Sequence, residues 1–177
     1  MTEYVAFLRG VNLGKRQTKS ADLVKAFEDL GFSGVRTLIA SGNVKFETKS
    51  AKGLQAKIEA GLKTHFGFAI GVVLRTMDEL KAMIAKKPFA KADPKADATY
   101  HVLLFAEPMK ARPNVAGVAG DYDVAKVEDN AIYFIAYKKP DGTYLGRSAL
   151  GDALKPIEKA HLVTMRNWNT IEKAAAK

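Results

Sequence analysis

Between residues 4 and 75 the apolar residues change period in an order that one antiparallel sheet can close. Residues 4–8, Tyr-Val-Ala-Phe-Leu, form an apolar run, and after a loop Leu23, Phe27 and Leu30 recur at helical spacing until Gly31. Residues 34–39 and 43–46 are short strand-like runs on either side of Ser41-Gly42, where glycine supplies the positive φ of a hairpin turn. Ser50 is placed as an N-cap for a helix through Leu54, Ile58 and Leu62, which stops at Gly67 before a strand over residues 69–75. This order is βαββαβ, the split βαβ unit of ferredoxin-like folds. Two helices then cover one face of a sheet whose central strands are the first and third.

The second half follows a weaker version of the same plan. Thr76-Met-Asp-Glu79 has capping-box spacing and starts a helix with Met77, Leu80 and Ile84 on its apolar face, which Pro88 ends. Residues 100–105 read as a buried strand, and residues 123–127 pair with 131–137 across Glu128-Asp129-Asn130. Pro108, Pro113, Gly117 and Gly120 leave room between them only for a short or irregular helix. A helix over 147–160 is expected to be interrupted by Gly151 and Pro156, and a last one runs over 169–176. The fold class is α+β: two ferredoxin-like repeats, the second degraded, with antiparallel sheets and covering helices. Residues 1–87 hold the first repeat and a connecting helix, 88–98 a connector, and 99–177 the second repeat with the C-terminal helix, forming one compact unit.

Charge and composition bound the function. Twenty-eight Lys and Arg against 19 Asp and Glu give a net charge of +9, which draws a protein towards polyanions at low salt. Lysines scattered at helix-surface spacing, such as Lys57, Lys63, Lys81, Lys86 and Lys87, also fit a solvated surface. With no cysteine, disulfides and thiolate metal sites are excluded, as a reducing cytoplasm would allow. No apolar run has membrane-spanning length and no signal peptide is evident, so a cytoplasmic protein is expected. Neither a metal nor a cofactor is called for, and the oligomeric state is left open.

Candidate chemistry gathers at strand ends. If the first strand pairs antiparallel with the third, Arg9, Gly10 and Asn12 approach Ser41, Gly42 and Asn43. Arginine offers a fork of donors, the asparagines add amides, and the glycines let backbone N–H groups near an oxyanion. The other reading has Arg9 bonding hairpin carbonyls while Asn and Gly supply turn dihedrals. Residues 10–16 resemble a phosphate-binding P-loop, but the spacing is one residue short of G-x-x-x-x-G-K-[ST] and Arg16 stands where a hydroxyl should meet magnesium. Arg147-Ser148, after the Pro140-Asp-Gly142 turn, form a third oxyanion candidate. Arg166, Asn167, Trp168 and Thr170 make a second polar cluster: Trp168 either stacks with a base or packs on the protein, and Asn169 or Thr170 caps the last helix. His65, His101 and His161 lack metal-ligand spacing, Asp121 and Asp123 stand at a strand start, and no G-x-S-x-G elbow exists. The single aromatic over residues 41–46 does not supply the base-stacking strand of an RRM.

Phe7-Leu-Arg9-Gly10-Val-Asn12-Leu-Gly14, the Leu30-Gly31-Phe32 helix end, Ser41-Gly42-Asn43 and Thr164-x-Arg166-Asn167-x-x-Thr170 together resemble the bacterial domain of unknown function 1697 family over nearly the whole chain. The resemblance implies two ferredoxin-like repeats around shared sheets and brings no activity. Members often carry a second glycine where this chain has Lys15, and a lysine after the Arg-Ser pair where it has Ala149. The leading expectation is a binding module for an anionic ligand, either nucleic acid or a phosphorylated small molecule. The rivals are a small enzyme that orients an oxyanion with the same Arg and Asn groups, and an interaction module that joins partners through an exposed sheet edge.

Overall fold

A computed structural model describes residues 1–39 and 42–176. The chain divides into two compact units, Met1–Ala82 with Lys173–Lys177, and Met83–Glu172.

The first unit contains strand β1 (Thr2–Arg9), helix α1 (Ser20–Asp29), β2 (Ser33–Thr37), β3 (Asn43–Thr48), α2 (Leu54–Phe66) and β4 (Gly71–Thr76). Its sheet has the order β2-β3-β1-β4 with β1 antiparallel to β3 and β4, as the βαββαβ reading requires. Alternation along the strands sends Ala6, Leu8, Val44 and Phe46 to the helix-covered face, where they pack with Leu23 and Phe27 of α1 and Ile58 and Leu62 of α2. Phe46 is the hub of that core, with ring centroids 5.7 Å from Tyr4, 5.2 Å from Phe27 and 4.7 Å from Phe32. The alternate residues Val5, Phe7, Lys45 and Val73 are buried too, and Lys45 Nζ reaches Glu3 at 2.9 Å. A buried ammonium needs such a partner to offset its lost hydration. The N-cap of α2 is Gly53 in a left-handed conformation (φ 62°), not Ser50. Thr48 Oγ1 accepts the Ser50 N–H instead, so the serine sits in a local turn ahead of the helix.

Helix α3 (Met77–Ala85) begins on the expected capping box. Glu79 donates its N–H to Thr76 Oγ1 at 3.1 Å, and Thr76 donates its own to Glu79 Oε2 at 2.7 Å.

The second unit contains β5 (Ala98–Phe105), β6 (Tyr122–Glu128), β7 (Ala131–Tyr137), α4 (Ala149–Ala160), β8 (Val163–Asn167) and most of α5 (Trp168–Ala175). Its sheet order, β6-β7-β5-β8, repeats that of the first unit strand for strand. Residues 106–121, which replace the first crossover helix, are irregular apart from turns and one bridge, as their Pro and Gly content predicts. Each sheet takes all its strands from one half, so no sheet is shared, contrary to the arrangement that the resemblance implied. Helix α4 is continuous through Gly151 and Pro156 rather than interrupted. Pro156 lies on its exposed face, where water can hydrate the carbonyl that proline leaves unbonded, while Leu150, Leu154 and Ile157 hold the other face in the core.

Candidate functional site

The register of the first sheet brings the end of β1 beside the start of β3 and the start of β4. Phe7 pairs with Asn43, Arg9 pairs with Gly71, and Leu8 donates its N–H to the Gly42 carbonyl at 2.7 Å. The β1–α1 loop leaves this edge through residues that alternate in hand: Gly10 (φ 77°), Asn12 (56°) and Gly14 (58°) are left-handed. Only Asn12 carries a side chain that must tolerate this geometry, and it does so with local bonds. Its Oδ1 accepts from the Thr18 N–H at 2.9 Å and from Thr18 Oγ1 at 3.4 Å, tying the loop across its base. Asn43 is also tied locally, since Nδ2 donates to the Leu38 carbonyl at 3.3 Å. Both asparagines therefore hold turns, while Arg9 stands half-buried at the strand end. Ser41 lies outside the described residues.

Arg16, read from sequence as a misfit in a P-loop, is exposed and makes a side-chain contact that the sequence hides. Its Cζ lies 5.2 Å from the centroid of Phe68, a cation-π contact to a ring packed on the helix-covered core. A Cβ added at Gly10 would lie 4.0 Å from Arg16 Nη1, so the guanidinium stands beside bare backbone. Phe68 is far along the chain from Arg16, and no local pattern joins them.

In the second unit the candidates occupy the topologically opposite end of the sheet, where β5 begins and β8 ends: His101 pairs with Asn167 and Val102 with Arg166. Ser148 is the N-cap of α4, accepting the Leu150 N–H at 3.1 Å. It also donates to Asp121 Oδ1 at 2.6 Å, and the Ala149 N–H bonds Asp121 Oδ2 at 2.8 Å. Lys139 Nζ reaches the same carboxylate at 3.2 Å. The α4 N-terminus thus holds an anion of the protein's own. Burial raises the Asp121 carboxyl, but the bonds from Ser148, Ala149 and Lys139 outweigh it and leave the group below the ordinary carboxylate value. Arg147 is exposed and left-handed (φ 51°).

Arg166 donates through Nη1 to Thr164 Oγ1 at 2.7 Å and to the Met165 carbonyl at 2.9 Å, and burial lowers its guanidinium to about 10. Asn167 Oδ1 accepts the Asn169 N–H at 2.9 Å, so the residue before α5 caps it, rather than Asn169 or Thr170. Thr170 is half-buried within α5. Trp168 packs edge-to-face on Phe89 at 5.4 Å and Tyr133 at 5.8 Å and is 8% exposed, which takes the packing alternative over base stacking. Among the described residues no three His, Cys, Asp or Glu cluster as a metal site would require, and no helix is long and apolar enough to cross a membrane.

A family described as Protein of unknown function (DUF1697) matches residues 1–133. The chain belongs to this family. The DUF1697 match takes in β1 to β6, including the β1–α1 loop, and stops within β7, short of α4, β8 and α5. No curated protein matches the chain. Among solved structures, a conserved bacterial protein from Streptococcus pneumoniae is similar over 99% of this chain and 97% of its own length, with 22% identity and a TM-score of 0.78. At that identity the likeness speaks for the fold alone.

Proposed function

We propose that this protein is a cytoplasmic binding module for an anionic, phosphate-bearing ligand, either nucleic acid or a phosphorylated small molecule, and that the β1–α1 loop is its contact surface. One observation carries the reading: Arg16 is held over the Phe68 ring beside Gly10, in a loop whose residues at 10, 12 and 14 are left-handed. Backbone of alternating hand lets successive N–H groups converge on an oxyanion, and a pre-oriented guanidinium adds a charged fork at little entropic cost. Arg9 at the strand end and the exposed Lys15 extend the positive surface, and the net charge of +9 favours encounter with a polyanion. The cysteine-free sequence suits a reducing compartment. The strand order common to both sheets supports an origin by internal duplication, after which the second half lost its first crossover helix.

Fluorescence anisotropy tests this with labelled single-stranded RNA, single-stranded DNA and a duplex at about 50 and 200 mM salt. With two phosphates engaged, affinity should fall by about tenfold between those salts, and Arg16→Ala should flatten the log–log slope by roughly 1. Binding to inorganic phosphate or a mononucleotide without oligomer binding would select the small-molecule form. Unchanged affinity and slope in both Arg16→Ala and Arg9→Ala would remove the loop from the function.

A further inference from the structure

The edge of the second sheet carries a feature that the anion-binding loop does not use. Strand β6 is an edge strand. Its ladder partner is β7, and a single bridge to Val118 covers it at Tyr122. The incoming segment approaches that point closely, since a Cβ at Gly117 would lie 2.9 Å from the Tyr122 carbonyl oxygen and 2.8 Å from Asp123 Oδ1. Beyond it, Val124, Ala125 and Lys126 line an open groove of about 900 Å³, whose other wall is the turn after α3, residues 86–92.

The chemistry of the groove is two-sided. Pro88, Phe89, Val115, Val124 and Ile135 supply an apolar floor and wall. Lys86, Lys87, Lys91 and Lys126 supply four cations against the single carboxylate of Asp123. Lys86 and Lys126 each reach Glu128 Oε1 at 3.0 Å, and Asp123 accepts from the Tyr137 hydroxyl at 2.6 Å. Lys87 and Lys91 are exposed and have no carboxylate partner among the described residues. Uncompensated positive charge beside an uncovered strand edge and apolar side chains matches an extended chain that alternates acidic and apolar residues. Main-chain groups would meet the edge, one set of side chains the floor, and the other set the lysines.

We propose that this groove receives an extended acidic segment of a partner protein, laid alongside β6. A nucleic acid fits less well. The one aromatic ring in the groove, Phe89, is engaged by Tyr100 at 4.9 Å, Tyr133 at 5.9 Å and Trp168 at 5.4 Å, which leaves no stacking platform for bases. The register shift between Val124 and Lys126 restricts strand pairing to a short stretch, so the lysines carry much of the affinity and binding is weak and salt-sensitive.

The test is an amide NMR titration of the full chain with a short capped peptide alternating glutamate and valine, and with its lysine counterpart. The glutamate peptide should shift the amides of residues 86–92 and 124–126 saturably, and the lysine peptide should not. The double variant Lys87→Glu, Lys91→Glu should weaken binding by about tenfold or more, while Arg16→Ala should leave it unchanged, which keeps this groove separate from the phosphate-binding loop. Both lysines are on the surface, and the unshifted remainder of the spectrum reports an intact fold. The proposal fails if the glutamate peptide shifts nothing at saturating concentration, or shifts the residues 10–16 instead. It fails equally if the charge-reversed variant binds as well as the parent, if an RNA oligonucleotide occupies the groove in preference, or if these amides shift only with protein concentration, as a second copy would make them do.

Discussion

Phe46→Ala should destabilise the protein by about 3–5 kcal/mol, read as a lowered midpoint in guanidinium unfolding followed by far-UV circular dichroism. Phe46 is fully buried on the central strand β3, and its ring meets Tyr4 across the sheet and Phe27 and Phe32 at the α1 end. Truncation removes the transfer free energy of a large aromatic and leaves a cavity with walls on two strands and a helix, which cannot close together. Phe46→Leu keeps much of the volume and should cost clearly less. Equal losses for the two variants would mean that ring contacts, rather than filled volume, set the stability of this core.

The second large effect belongs to Asp121. This side chain is 16% exposed and accepts from the Ser148 hydroxyl, the Ala149 N–H and the Lys139 ammonium, so Asp121→Ala leaves the Ser148 and Ala149 donors without their acceptor, removes the ion pair of Lys139, which keeps the Tyr144 carbonyl, and strips the start of α4. The expected cost is about 2–3 kcal/mol, from charged hydrogen bonds and a weakened cap. The pH dependence has a definite sign. The folded carboxyl titrates below its ordinary value of 3.8, so between the folded and unfolded values the unfolded chain binds more protons. The Asp121 contribution is therefore complete above the ordinary value and is lost as pH falls through the folded one. Asp121→Asn, which keeps the shape but not the charge, should flatten stability against pH in that acid window relative to the parent. Unfolding midpoints across pH 2 to 6 check this, and parallel curves for parent and variant would contradict it. The same contacts bear on function, because an anion arriving at Ser148 would have to displace a carboxylate already in place.

The first repeat is legible in the sequence because each change of element coincides with a change of hydrophobic period, and glycines fall at the turns between them. The capping box at Thr76 and Glu79 is legible for a similar reason, since its partners are three residues apart. Contacts between distant residues left no such trace. Arg16 meets Phe68, and Asp121 meets Ser148, through the fold alone. Composition misled at α4, where Gly151 and Pro156 predict an interruption but the burial of Leu150, Leu154 and Ile157 outweighs their helix-breaking cost. The cluster at residues 164–170 divides in role: Thr164 and Arg166 bond each other, Asn167 caps a helix, and Trp168 fills a core. The groove along β6 was beyond sequence reading because its walls, residues 86–92 and 124–126, come from separate elements.

The most direct test of the proposal that the β1–α1 loop binds anions is an amide NMR titration of the full chain with short single-stranded RNA and, separately, with inorganic phosphate. Saturable shifts confined to the amides of residues 10–16, weakened by Arg16→Ala, are the predicted result. Shifts spread over the surface lysines without saturation, or a loop that stays silent with both probes, would contradict the account.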